Sequence, residues 1–327
     1  MTRRLTVRHE TWPIAGRFTI SRGSKTTAEL VVVEIRQDRH VGRGECVPYA
    51  RFGETISDVL HAIDGRRGAL EAGMNRAELQ RAMSAGAARN AIDCALWDLD
   101  AKKSGLSVAV LAGLPNPSPV TTAYTISLAD IDSMANAARA NADRPLLKLK
   151  LGGPGDIDRL RAVHDNAPNA RLIVDANEAW TPAIYGEIVP QLTRLGVELI
   201  EQPFPATDDS ALADLERPVP VCADESCHDR TGLDRLVGCY DVINVKLDKT
   251  GGLTEALRLV QAAKSRGLDI MVGCMVATSL AMAPAHLLGP VARWVDLDGP
   301  LLLARDREHG LRYVGSVVHP AEPALWG

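Results

Sequence analysis

The chain has no CxxC pair, no His at zinc-finger spacing from any of its six cysteines, and no HExxH pattern among its eight histidines. A zinc module and a zinc protease are therefore excluded. The cysteines, at positions 46, 94, 222, 227, 239 and 274, read as buried thiols in a reducing compartment. There is no run of Lys or Arg, and 41 acidic against 37 basic side chains leave a net charge of only −4, so nucleic acid finds no electrostatic footprint. The longest apolar stretches are strand-sized, too short to span a bilayer. The opening MTRRLTVRHETW has no apolar segment behind its arginines, so no secretory signal is expected and a cytoplasmic location follows by default. No GxGxxG follows any strand candidate, which removes the dinucleotide-binding fingerprint.

What is present divides the 327 residues into two textures. Residues 4–46 read as a β meander: TVRHETW, ELVVVEIRQ and HVGRGECV alternate or run β-branched, with GRFTISRGSKTTA as a polar connector between the first two. From Thr55 to Gly105 apolar residues recur three and four apart, as in helices, and the Ala-rich run Ala87 to Lys103 stops before Gly105. A Pro-rich linker, LAGLPNPSPV, closes this α+β unit. Beyond it eight apolar strand candidates (TTAYTIS, LLKLKLG, RLIVDAN, VELIEQP, VPVCADES, DVINVKLDK, LDIMVGCM and RWVDLDG) are separated by amphipathic stretches such as IDRLRAVHDN and TEALRLVQAAKSRG. Strand then helix, repeated, predicts a parallel sheet covered by helices, and eight strands fit a closed barrel better than an open doubly wound sheet.

Charge falls at the strand ends. Lys148 and Lys150 sit two apart in LLKLKLGG, hence on one face of a strand. Asp175, Glu201, Asp224 and Lys246 end the following strand candidates at spacings of 22 to 26 residues, about one βα unit each. Asp296 and Asp298 share a face of RWVDLDG. Any one of these reads as a solvated loop charge. Together they converge on the C-terminal mouth of a barrel, where barrel enzymes keep their chemistry. Three carboxylates from adjacent strands form an oxygen set suited to a hard cation, Mg²⁺ rather than zinc. Two lysine sites, on the second and sixth strands, would flank that metal, and an ammonium beside a second ammonium and a divalent cation has a lowered pKa. A substrate carboxylate chelated to Mg²⁺ has its α-proton acidified. One base removes that proton and the opposite lysine returns one from the other face, which is racemisation or epimerisation.

The segments KLK, DAN, EQP, ADES and NVK resemble the enolase superfamily in its muconate-lactonizing-like subgroup, and AARNAIDCALWDLDAKKSG resembles the helix that links its two domains. The resemblance covers essentially the whole chain. It implies an α/β fold, a (β/α)7β modified TIM barrel with an N-terminal α+β capping domain: residues 1–115 as the cap, 116–300 as the barrel and 301–327 returning to the cap. It implies Asp175, Glu201 and Asp224 as ligands of one Mg²⁺, for which Mn²⁺ can substitute, Lys150 and Lys246 as the acid/base pair, and Lys148 as support for Lys150. VDLDGP resembles the DxD of the dipeptide epimerases, where the two aspartates bind the free ammonium of the substrate. SRGSKTTA, GECVPYARFGET, LDKTGGLTEA and GCMVATS are similar to the bacterial members acting on L-Ala-D/L-Glu in murein peptide metabolism. That likeness implies Arg22, with Lys25 as second candidate, as the partner of the glutamate side chain. Thr125 is expected as a further substrate-binding residue, and Cys274 and Met275 as apolar lining of the substrate pocket. The expected partner is a small dipeptide, with no nucleic acid and no membrane, and a homo-oligomer is left open.

Other residues read blandly. Lys249 lies three past Lys246, on the other face of the strand, and is assigned surface or helix-start duty; Asp248 is a loop charge and His228 a solvated loop histidine. Three other enzymes compete: an o-succinylbenzoate synthase, an N-acylamino acid racemase, and a dipeptide epimerase of different side-chain preference. A non-catalytic barrel is the alternative from another class, and buried lysines and carboxylates speak against it.

Overall fold

The computed structural model describes residues 3–327; Met1 and Thr2 of the opening segment lie outside the described residues. The chain begins with three antiparallel strands in the order β1 (Arg3–Ile20), β2 (Gly23–Gln37), β3 (His40–Cys46). The segment expected as a polar connector is instead mostly strand. Phe18, Thr19 and Ile20 pair with Lys25, Ser24 and Gly23, after a register shift between Pro13 and Phe18. Its Phe, Ile and Thr residues favour a strand, and the pairing satisfies its backbone groups even where the side chains are exposed. Only Ser21 and Arg22 are left as the turn, so Arg22 stands at a hairpin tip.

Helices Ile56–Asp64, Arg67–Glu71, Arg76–Ala82 and Ala87–Ser104 pack behind this sheet. The helix Arg76–Ala82 opens on a capping box made by Asn75 and Glu78, an entry that satisfies two otherwise orphaned backbone donors. The helix Ala87–Ser104 ends at Gly105 in the left-handed conformation. It lies unusually close to β3: a Cβ on Gly44 would fall 2.1 Å from the Ala91 carbonyl oxygen, and one on Gly42 2.1 Å from that of Ala95. Hydrogen side chains at 42 and 44 are what allow this contact.

After a short strand β4 (Val120–Thr121) come eight parallel strands: β5 (Tyr124–Ile126), β6 (Leu146–Lys150), β7 (Arg171–Asp175), β8 (Val197–Glu201), β9 (Val221–Ala223), β10 (Val242–Val245), β11 (Asp269–Val272) and β12 (Trp294–Val295). Each pairs with its sequence neighbours, and the Ala123 N–H donates to the Val295 carbonyl at 2.7 Å, so the first and last strands meet. The result is the (β/α)7β barrel beside an α+β cap. A final hairpin, β13 (Tyr313–Val314) and β14 (Val317–Val318), pairs with β4. The chain end then returns to the long helix of the cap: Trp326 Nε1 donates to the Cys94 carbonyl and the Gly327 N–H to Asp98 Oδ1.

The barrel interior is layered by the two-residue period of its strands. One side chain from each strand forms an apolar floor: Ala123, Leu146, Ile173, Leu199, Cys222, Val242, Met271 and Trp294. Two residues further along every strand stand Thr125, Lys148, Asp175, Glu201, Asp224, Asn244, Gly273 and Asp296. Seven of those eight are polar, and all are buried. Two further again stand Lys150, Lys246 and Asp298. The same alternation that makes each strand a strand therefore delivers the charged layer to the mouth.

No helix among the described residues is long and apolar enough to cross a membrane. Gly44→Ala is expected to force the cap helix off β3 and destabilise the fold by about 1–3 kcal/mol, the usual range for overpacking. Thermal unfolding followed by circular dichroism should show a midpoint lowered by several degrees; an unchanged midpoint would refute the close-packing argument.

Candidate active site

A cavity of about 490 Å³ lies between the β1–β2 hairpin tip and the barrel mouth. Ten of the thirteen side chains singled out in the sequence line it: Arg22, Lys25, Thr125, Lys150, Asp224, Lys246, Cys274, Met275, Asp296 and Asp298. The other three, Lys148, Asp175 and Glu201, are buried in the layer beneath. Strands β6 and β10 are four positions apart in an eight-strand order. Lys150 and Lys246 therefore stand across the mouth from one another, with the strands bearing Asp175, Glu201 and Asp224 in between.

These charges are cross-linked. Lys150 Nζ lies 2.6 Å from Asp175 Oδ2. Lys148 Nζ reaches Glu201 Oε2 at 2.6 Å, Asp296 Oδ2 at 2.8 Å and Asp175 Oδ2 at 3.3 Å. Lys246 Nζ is 2.6 Å from Asp224 Oδ2 and 4.0 Å from Glu201 Oε1. Burial opposes the ionised form of Asp175, but the ammoniums of Lys150 and Lys148 prevail and hold its carboxyl down at about 2. Asp224 is likewise held well below the usual range by Lys246 and Lys249 against its burial. Glu201, with the carboxylate of Asp175 beside it, is pushed up by burial first and by that neighbour second. Burial lowers the Lys246 amine pKa, but the carboxylates of Asp224 and Glu201 raise it by more, and the net shift is upward. The lowered value expected of a lysine beside a divalent cation belongs to the metal-bound site, whereas short contacts to carboxylates alone favour the ammonium.

The bland reading of Asp248 is overturned, and that of Lys249 holds only in that it falls in the first turn of a short helix. Lys249 is not at the surface: its side chain is fully buried, and its Nζ donates to Asp224 Oδ1 at 2.6 Å, the Asp224 carbonyl at 2.5 Å and the Asn244 carbonyl at 2.9 Å. The strand ends at Val245 and a short helix, Leu247–Thr250, begins. The strand rule that put residue 249 on the opposite face no longer applies there, since residues three apart on a helix are neighbours. Asp248 is not a loop charge either. It is buried and accepts from the Val47 N–H at 3.0 Å and from Asn90 Nδ2 at 2.9 Å, both in the cap. Cap residues grip the rest of this turn as well: Arg89 donates to the carbonyls of Thr250 and Gly251, and Asp93 accepts from the Thr254 N–H. His228, by contrast, is exposed.

Around the cavity rim Arg22 is already engaged. Its guanidinium donates to Glu225 at 2.6 Å, Glu178 at 3.1 Å, the Tyr49 hydroxyl and the Asn177 carbonyl. Lys25 Nζ is 5.5 Å from the Tyr49 ring centroid. Asp298 Oδ2 accepts from the Thr125 N–H at 2.6 Å, while Asp296 Oδ1 is buried without a hydrogen-bond partner. Burial and the adjacent Asp296 push the Asp298 carboxyl up to about 7. Asn177, Glu178, Glu225, Asn244 and Tyr49 were not anticipated. Glu225 directly follows Asp224, and that adjacency to a strand-end carboxylate is the one sequence signal it carried.

Counted together, six buried carboxylates (Asp175, Glu201, Asp224, Glu225, Asp296 and Asp298) face four buried ammoniums (Lys148, Lys150, Lys246 and Lys249). This cluster thus holds two more carboxyl groups than ammoniums, and Arg22 meets one of them, Glu225, from the cap. Among the described residues no three acidic, His or Cys side chains already surround a single metal-binding point, because the lysines stand between the carboxylates. The donor chemistry nevertheless fits a hard divalent cation. All three candidate ligands are carboxylates, and Glu201 Oε2 and Glu225 Oε2 are buried with no well-aligned hydrogen bond, although the former lies 2.6 Å from Lys148 Nζ.

A capped (β/α)7β barrel with opposed lysines flanking acidic strand ends defines a barrel enzyme of acid–base chemistry at carbon. The chain belongs to the enolase superfamily, in its mandelate racemase and muconate lactonizing enzyme group. Residues 132–319 match the enolase C-terminal domain-like family and residues 2–113 the mandelate racemase / muconate lactonizing enzyme N-terminal domain. It is 45% identical to the L-Ala-D/L-Glu epimerase of Escherichia coli, over 97% of this chain and 99% of that one. It is also 45% identical to an N-acetyl-D-glutamate racemase of Pseudoalteromonas, over 91% and 95% respectively. Among solved structures it is similar to an enolase family member from Agrobacterium tumefaciens with homology to dipeptide epimerases, determined with sodium and L-Ala-L-Glu bound. That match has a TM-score of 0.98 and 52% identity, and covers 99% of this chain and 100% of that one. Other dipeptide epimerases of similar fold were solved with Mg and a dipeptide bound.

Burial pushes the Asp248 carboxyl up to about 7. A carboxyl that holds its proton more tightly folded than unfolded loses stability as pH rises from about 4 through about 7. Asp248→Asn keeps an oxygen for Val47 and Asn90 without the charge. Its thermal midpoint is expected to exceed that of the wild type by a few degrees at pH 8 and to match it near pH 4. Equal midpoints at both values would contradict this.

Proposed function

We propose that the protein is a Mg²⁺-dependent dipeptide epimerase that inverts the α-carbon of the C-terminal residue, with L-Ala-D-Glu and L-Ala-L-Glu as its substrates. The observation that carries this reading is the pair of lysines, Lys150 and Lys246, on opposed strands of one cavity, with the acidic layer between them and the Asp296/Asp298 pair on the same wall. A 1,1-proton transfer needs an acid/base group on each face of one carbon. In this reading Lys150 or Lys246, as the free amine, takes the α-proton and leaves a planar α-carbon. The ammonium opposite then gives a proton to the other face and becomes the amine for the reverse reaction. Asp175, Glu201 and Asp224 would hold the cation, and Mn²⁺ would serve in its place. When bound, the cation supplies Lewis-acid polarisation of the substrate carboxylate and a positive charge that frees the lysines from their carboxylate partners. Lys148, tied to Asp175, Glu201 and Asp296, keeps those oxygens in place.

The buried, unpartnered oxygen of Asp296 and the adjacent Asp298 favour a substrate with a free α-ammonium, because a cation is the natural partner of paired buried carboxylates. The 45% identical N-acetyl-D-glutamate racemase supports a second reading, an N-acylated glutamate substrate. A neutral acyl group, however, would offer no cation to Asp296 Oδ1, which is buried without a partner, or to Asp298. Arg22 sits where the hairpin tip meets the cavity, and we assign it, with Lys25 beside it, to the glutamate side-chain carboxylate. To bind there a substrate must share the guanidinium with Glu225 and Glu178.

The assignment is tested by metal removal, by variants at the lysines, Arg22 and Asp298, and by N-acetylated substrates. Chelation should abolish turnover, with Mg²⁺ or Mn²⁺ restoring it; full turnover of a metal-free sample would end the proposal. Lys150→Ala and Lys246→Ala should each abolish epimerisation, while one of them still exchanges the α-hydrogen of a single diastereomer with D₂O. Near wild-type epimerisation by both variants would rule out two bases. Finally, Arg22→Met should lower kcat/KM for Ala-Glu by roughly two to three orders of magnitude and leave Ala-Ala and Ala-Met nearly untouched. Asp298→Asn should instead weaken every dipeptide. N-acetyl-dipeptides turning over faster than free ones would favour the racemase reading.

A further inference from the structure

Each carboxylate that meets an opposed lysine of the cavity also meets a second, deeper lysine. Asp175 takes Lys150 at 2.6 Å and Lys148 at 3.3 Å on the same oxygen. Asp224 takes Lys246 on Oδ2 and Lys249 on Oδ1, both at 2.6 Å. Lys148 and Lys249 do not line the cavity and cannot reach a substrate there. The three ammonium protons of Lys249 are all committed, to Asp224 Oδ1, the Asp224 carbonyl and the Asn244 carbonyl. The Asn244 side chain in turn donates to Glu201 Oε1 at 2.8 Å. One buried side chain therefore clamps the main chain and one oxygen of Asp224, and grips the backbone of the residue that holds Glu201.

We propose that Lys249 is a positioning residue for the metal site. It fixes Asp224 Oδ1 and the Asp224 main chain so that Oδ2, shared with Lys246, is the oxygen presented to the cavity. The proposal rests on the reading of Asp224 as a ligand. It separates from a purely electrostatic role by sign. Removing a positive charge beside a cation site tightens cation binding on Coulombic grounds, whereas losing the clamp loosens it. Groups that orient metal ligands are commonly worth 10–100-fold in affinity.

The experiment is a Mn²⁺ titration of wild type and Lys249→Met by calorimetry and electron paramagnetic resonance, without substrate. Methionine matches the length and bulk of the lysine without its donors. Binding weakened by about 10–100-fold, with an altered resonance spectrum of bound Mn²⁺, is the expected result. Binding as tight as or tighter than wild type overturns the proposal. If Lys249→Met does not yield folded protein, Lys249→Arg is read in the same way, since its larger head keeps the charge but cannot reproduce the three short bonds. Failure of both to fold would make Lys249 a folding residue and also overturns it. A wild type that binds no Mn²⁺ would instead sink the metal reading itself.

Discussion

Ten ionisable side chains buried at the mouth of one barrel can coexist only where each charge is met by an opposite one, since isolated charges in a low-dielectric interior cost many kcal/mol. That constraint organises the site. Lys148 bridges three carboxylates, and Asp175 and Asp224 each take two lysines. The imbalance of six carboxylates against four ammoniums shows where pairing runs short. Asp298, which has no cationic partner, and Glu225, whose only one is Arg22, have their carboxyls pushed up to about 7 by burial and by neighbouring carboxylates. Under the proposed function, a divalent cation and a substrate ammonium would supply the positive charge that meets this excess of carboxyl groups.

The apolar floor and the polar layer are the same strands read two residues apart. The floor excludes water from below and closes the barrel with well-packed side chains, so the charged layer rests on a rigid base. Above it the cap acts as a clamp as well as a cover. Asn90, Arg89 and Asp93, all on the helix Ala87–Ser104, hold the turn that carries Lys246 and Lys249. The hairpin tip brings Arg22 down onto Glu225 and Glu178. Mobility of the cap would therefore be felt at the lysines as well as at the substrate entrance, which links the glycine contacts at 42 and 44 to the chemistry.

Much of this was legible in the sequence because a strand's period is local. Lys148 and Lys150, or Asp296 and Asp298, share a face whatever the rest of the chain does, and the recurring spacing of strand-end charges is enough to locate the mouth. The eight barrel strands were recognisable for the same reason. Legibility ended where local geometry changed without a marker. GRFTISRGSKTTA looked like a connector, yet hairpin pairing made most of it strand. Lys249 looked outward because a strand rule was carried past Val245 into a helical turn, and Asp248 looked solvated because its partners, Val47 and Asn90, lie 201 and 158 residues away.

The sequence by itself thus determined which residues face the barrel interior and in what order the charged strand ends follow one another, because alternation and βα spacing are properties of short segments. Only the tertiary structure decided who pairs with whom: that Lys249 shares Asp224 with Lys246, that Arg22 rests on Glu225 and Glu178, and that the cap helix holds the turn after β10. Those contacts join segments remote in the chain. They depend on barrel closure and on the close approach of helix to sheet, which no window of the sequence contains.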